Sequence, residues 1–138
     1  MENTTFFENT SVISKFAKGE NMVESKIYIG LNDFTSNTQL FENEKYISVL
    51  RKVCHSYKVS FSFGVQEGGY IYESGEYAKE TCLVLTLIDV EKSIVKDIAG
   101  DLCAFFNQES VLITENRIDA YFIRERLEYD IKEDRDSD

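Results

Sequence analysis

Long apolar runs are the first thing this chain lacks. No stretch approaches the roughly eighteen consecutive apolar residues that a membrane span needs, and no basic N-terminal region leads into an apolar one, so neither a membrane partner nor a secretory leader is expected. Cysteine is scarce. Cys54, Cys82 and Cys103 are odd in number, far apart and set among apolar residues. That spacing excludes a disulfide framework and reads as reduced core thiols in a cytoplasmic protein, because zinc asks for paired ligands at short spacing. No metal and no cofactor is expected.

Histidine is scarcer still. His55 stands alone near the end of an expected helix, where its charge would complement the helix dipole. A triad needs a nucleophile and a carboxylate brought to the imidazole, and no nucleophile-elbow pattern is present, so no catalytic residue is assigned. Positive charge is also short, with 15 Lys and Arg against 25 Asp and Glu and a net charge of −10. This balance repels nucleic acid, and no local basic patch overrides it, so direct nucleic-acid binding is not expected. The plain reading is a solubilising surface. The sharper one is an acidic inhibitor of the phage anti-defence kind, occupying a basic nucleic-acid-binding site on another protein.

What is present is periodicity. The 138 residues suffice for one domain that buries roughly two thirds of its unfolded surface. Residues 1 to 24 form an arm too apolar for a solvated tail, with Phe6, Phe7, Val12, Ile13 and Phe16, and a short helix is expected over residues 10 to 18. Residues 26 to 31 alternate Ile27, Ile29 and Leu31 with Tyr28 and Gly30, the period of a half-buried strand. Ser36 and Gln39 have capping-box spacing, and a stripe through Leu40, Ile47, Leu50, Cys54 and Tyr57 marks a first helix. Residues 58 to 66 alternate again, with Val59, Phe61, Phe63 and Val65 facing the core. Gly68-Gly69 and Ser74-Gly75 punctuate a long hairpin, and residues 81 to 88 suit a central strand covered on both faces.

Around residues 89 to 107 lies the strongest signal. Val90, Ile94, Val95, Ile98, Leu102, Phe105 and Phe106 fall on one helical face, Asp89 is placed to cap the first turn, and Asn107 to take the left-handed conformation after the last. A strand at 110 to 114, a turn at Glu115-Asn116 and an added strand at 117 to 124 follow, then a charged tail over 125 to 138, frayed or disordered. The expectation is an α+β domain over residues 25 to 124 with ferredoxin-like split βαβ topology, βαββαβ plus the added strand. Both helices then cover one face of an antiparallel sheet.

Two segments carry a resemblance. Phe105-Phe106-Asn107-Gln108-Glu109-Ser110-Val111-Leu112 is similar to the Phe-Gly-Gln-Glu-Ser-Val-Leu run of a small bacterial and phage family of unknown function. Tyr28-Ile29-Gly30-Leu31 resembles that family's first strand, and Glu80 matches a recurrent acidic position. The likeness spans about residues 26 to 114 and implies the ferredoxin-like layout but no activity. The chain departs from the family in carrying Asn107 for Gly, an apolar arm and an acidic tail.

Mixed polarity on the reverse of the sheet, at Tyr28, Ser60, Ser62, Val84, Thr86 and Ile88, argues against full exposure there. The functional expectation is therefore a non-enzymatic binding module, a homo-oligomer (a dimer). It would hold a small molecule, such as a nucleotide-type signal, or a protein partner at the open sheet face and the tyrosine-rich hairpin. The ligand-binding candidates are Tyr28, Tyr70, Tyr72, Gln108 and Glu109: phenols to stack on a base or sugar, Gln and Glu to read its hydrogen bonds. The bland alternative for Gln108 and Glu109 is that they satisfy backbone groups where the helix ends. A small enzyme built on His55 or on a Tyr and Glu pair is the remaining class.

Overall fold

Alternation decides the sheet. The computed structural model describes residues 21–71 and 73–123. Val23–Arg117 is one compact unit, and the second unit, Met1–Met22 with Ile118–Asp138, is described only at residues 21–22 and 118–123. The helix expected over residues 10 to 18 and the charged tail lie outside the described residues.

Six elements follow in the order β1 (Met22–Gly30), α1 (Asn43–Ser56), β2 (Ser62–Ile71), β3 (Tyr77–Ile88), α2 (Lys92–Phe105) and β4 (Leu112–Ile118). The four strands form one antiparallel sheet in the order β2-β3-β1-β4, which with two helices is the expected α+β layout. In the β1–β3 ladder Ile27 pairs with Leu85 and Ile29 with Leu83, and all four are fully buried. They share one core with Leu50 and Cys54 of α1 and Ile98 and Leu102 of α2, so both helices lie on that face. Each fully buried Leu or Ile removes apolar surface worth roughly 2 kcal/mol from water, which is why the period-2 and period-3.6 patterns meet here.

Both helices end alike. Lys58 (φ 58°) and Asn107 (φ 50°) adopt the left-handed conformation. After α1, Lys58 N–H donates to the His55 carbonyl and Val59 N–H to the Cys54 carbonyl. After α2, Asn107 N–H donates to Ala104 and Gln108 N–H to Cys103, a Schellman motif in both cases.

Several boundaries differ from expectation. Asp89 does not cap α2: it is itself left-handed (φ 58°), and the helix starts after Glu91. Phe105 belongs to no buried stripe, with 67% of its surface exposed, because the last turn rotates it off the sheet and buries Phe106 instead. Ser36 and Gln39 form no capping box. Residues 36 to 41 are loop, Leu40 is exposed, and α1 begins at Asn43, whose Oδ1 accepts a bond from Gln39 Nε2. Gly68 and Gly69 are not a turn: they pair with Glu80 and Lys79 inside β2, and the reversal falls beyond it, with Gly75 left-handed (φ 92°). Ladder bonds from β3 outweigh the turn preference of a Gly pair, and the Tyr77 ring covers the place a Gly69 side chain would take. Glu115-Asn116 is no turn either. β4 runs through it to Ile118, residues 119–123 are not strand, and the added fifth strand is not formed among the described residues.

Candidate functional site

Gly30 closes β1 on the face of the sheet that no described helix covers. The alternation that buries Ile27, Ile29 and Leu31 turns Tyr28 and Gly30 the other way, where they pair with Val84 and Cys82. β2 places Gly64 opposite Val84, and a side chain built at Gly64 meets nothing within 4 Å. The floor is therefore apolar at its centre, with open space over Gly64. Val84 keeps 9% of its surface exposed, and Tyr28, Cys82 and Thr86 are half-buried around it.

Glu80 supplies the charge. Its carboxylate lies directly on Gly30, where any side-chain carbon would collide with it. Glu80 Oε2 accepts the Asn32 backbone N–H at 3.0 Å. Oε2 is thus anchored by a backbone N–H, and the whole carboxylate, Oε1 included, lies against Gly30. A half-buried carboxylate held by a backbone N–H is pre-oriented for a ligand hydroxyl or cation, since its rotamer is settled before binding.

Asn32 is gripped from the helix side as well. Gln108 Nε2 donates to its carbonyl at 2.6 Å and to the Phe106 carbonyl at 3.4 Å. Asn107 Nδ2 donates to Asp33 Oδ1 at 2.9 Å and to Thr35 Oγ1 at 3.2 Å, while Phe34 N–H donates to the Asn107 carbonyl at 2.9 Å. The Schellman turn after α2 thus pins the β1–α1 loop, and that loop pins Glu80. The Asn107 bond, opposed by desolvation and assisted by the Ser36 and Thr35 N–H groups, holds the Asp33 carboxyl below its usual range. Burial, reinforced by the Glu80 charge and opposed by a backbone hydrogen bond at Ile29, pushes the Cys82 thiol up, which disfavours its thiolate.

Of the five expected residues, Tyr28 lies on the face opposite α1 and α2 and Gln108 reaches the same corner through Asn32. Gln108 satisfies backbone carbonyls, the role weighed as the bland alternative. Glu109 is exposed, Tyr70 pairs with Ala78 in the β2–β3 ladder, and Tyr72 lies outside the described residues. His55 is exposed and meets Phe61 edge-on at 6.0 Å, with no hydrogen-bonded carboxylate among the described residues. Missed from periodicity were Asn32, Asp33 and the Gly30 cradle, although a glycine inside an Ile-rich strand is itself a sign of close approach. Two shallow depressions elsewhere, about 260 Å³ beside Lys92, Val95 and Ile113 and about 480 Å³ beside Leu40, Phe41 and Lys45, hold none of these residues. No three His, Cys, Asp or Glu side chains converge as a metal site among the described residues, and no described helix is long and apolar enough to cross a membrane.

No protein-family model matches the sequence, and no curated protein does. Solved structures do. A phage SAM lyase in complex with S-methyl-5'-thioadenosine superposes with a TM-score of 0.59 at 20% identity, over 81% of this chain and 97% of that one. Its apo state gives 0.57 at 21%, over 80% and 94%. CutA from Synechococcus elongatus PCC7942 gives 0.52 at 9%, over 79% and 87%. At these identities the likeness is one of fold, and it places the chain among ferredoxin-like α+β domains.

Proposed function

We propose that the chain binds a nucleoside-type small molecule on the sheet face opposite α1 and α2, with Glu80 as the group that engages it. The observation that carries this reading is the Glu80 carboxylate laid on Gly30, with one oxygen tied to Asn32 N–H. Tyr28 and Val84 offer an apolar and aromatic bed beside it, and Gly64 leaves room above the neighbouring strand. A carboxylate suits a ribose diol or a cationic centre and opposes phosphate, so an uncharged or sulfonium nucleoside fits better than a nucleotide. The phage SAM lyase of similar fold holds S-methyl-5'-thioadenosine, which makes that compound and S-adenosylmethionine the first ligands to try. Self-association, expected from the sequence as a dimer, belongs to the same reading.

Titration calorimetry with the full chain tests it. S-Methyl-5'-thioadenosine or S-adenosylmethionine is expected to bind, ATP to bind more weakly, and Glu80→Gln to lower affinity by roughly tenfold or more, about 1.4 kcal/mol, with an unchanged circular dichroism spectrum. No heat from any of the three, or wild-type affinity in Glu80→Gln, overturns it. A second reading, an enzyme acting on the same ligand, is favoured by the likeness to a lyase. Chromatography of the S-adenosylmethionine incubation separates the two: S-methyl-5'-thioadenosine released faster than in a protein-free incubation makes the chain an enzyme, and release at the protein-free rate leaves a binding module.

A further inference from the structure

Strand β2 stands at the end of the sheet order, and among the described residues no strand lies beyond it. Ten residues of backbone, Ser62–Ile71, therefore present alternate N–H and C=O groups outward. Such an edge is a template for another strand unless a proline, a bulge or an inward-pointing charge blunts it. This one has no proline and no bulge, and the one charge it carries on the Val65 face is already paired within the sheet. Its partner ladder is continuous from Ser62↔Thr86 to Ile71↔Tyr77, its sequence SFGVQEGGYI contains no proline, and its one charge, Glu67, is paired with Lys79 on β3 at 3.0 Å.

The apolar face also runs off this edge. Phe61 and Phe63 pack partly against the core, with Arg51 over the Phe63 ring at 5.5 Å. Val65 shares their face yet keeps 48% of its surface exposed, and Ile71 keeps 60%. A core that stops half-covered at a free edge is completed by more of the same sheet. Charge selects the partner. In a chain of net charge −10 most surfaces repel a second copy, but residues 58 to 71 carry only Lys58 and Glu67 and are neutral.

We propose that the β2 edge is where another copy of this chain joins the sheet, continuing the ladder and covering Val65. Sedimentation equilibrium of the full chain tests this together with hydrogen exchange at the β2 amides. The wild type is expected to sediment as an integer multiple of one chain at about 50 µM, with the outward amides of residues 62 to 71 protected. Val65→Lys sets a charge into the joint; it is expected to sediment as one chain, to retain its helical circular dichroism, and to exchange β2 amides roughly tenfold faster. Diluting the wild type until it dissociates should raise the same exchange rates without any substitution. A single-chain mass for the wild type overturns the proposal. So does an oligomer whose mass and β2 exchange rates are unchanged by Val65→Lys. Neither outcome depends on ligand binding at Glu80.

Discussion

Gly30 and Glu80 are fifty positions apart, and their contact makes a prediction at the scale of single residues. A methyl group at position 30 takes the place of the carboxylate, the far end of a flexible side chain, so Gly30→Ala is expected to cost about 1 kcal/mol or less, as the Asn32 N–H loses its partner, and to weaken ligand binding. In a Glu80→Ala background the same change should be neutral or mildly stabilising, because Gly30 has no positive φ and Ala suits a strand better than Gly. Urea melts of the four proteins in that cycle give the coupling. Asn107 allows a similar separation. Its backbone is left-handed, a conformation that Gly and Asn both take; Asn keeps it and adds bonds to Asp33 and Thr35. Asn107→Gly should therefore lose only the bonds, whereas Asn107→Ala should cost about 1 kcal/mol more, read as the difference between their urea midpoints. Asp33 has its folded-state pKa lowered from 3.8, so the folded form binds this proton more weakly than the unfolded one. Its stabilising contribution is complete above the unfolded value and is lost as pH falls through the lower folded one. Asp33→Asn should flatten that acid limb of the stability profile and leave stability near neutral pH less dependent on this group.

Among elements, α2 does the most. Its stripe Val95, Ile98 and Leu102 buries against the sheet, and its C-terminal turn delivers Asn107 and Gln108 to the β1–α1 loop. Leu102→Ala removes a fully buried side chain one turn before that junction and is expected to cost about 3 kcal/mol, visible as a lower melting temperature. The stripe was legible because burial on one face imposes a 3.6-residue period whatever the neighbours are. Its start was not. Asp89 looked like a cap, but its N–H is taken by the Val23 carbonyl at 2.7 Å, and that tie to β1 draws it into a left-handed turn. β2 shows the same limit: a Gly pair signals a turn locally, and only the register with β3 makes it strand. Tyr46 is a further case. Its hydroxyl accepts the Leu40 and Phe41 N–H groups and its ring meets Phe106 edge-on at 5.0 Å, which joins the loop, α1 and the end of α2 in a way no spacing announces.

For the whole molecule, a net charge of −10 means self-repulsion in the folded state. Added salt screens it, so the melting temperature should rise between about 10 mM and 200 mM sodium chloride. If it falls instead, favourable ion pairs outweigh the repulsion. The chemistry of the surface, the identity of the core stripes, the α+β class and the left-handed stop at Asn107 followed from sequence alone, because each depends on neighbours within a turn of helix or along one strand. Tertiary structure alone decided which glycine the Glu80 carboxylate rests on and which strands stand at the ends of the sheet. Those are contacts between residues far apart in the chain, and no local pattern encodes them: Glu80 reaches Gly30 and Asn32 only once β3 lies beside β1, and β2 is exposed only because β3 takes the place next to β1.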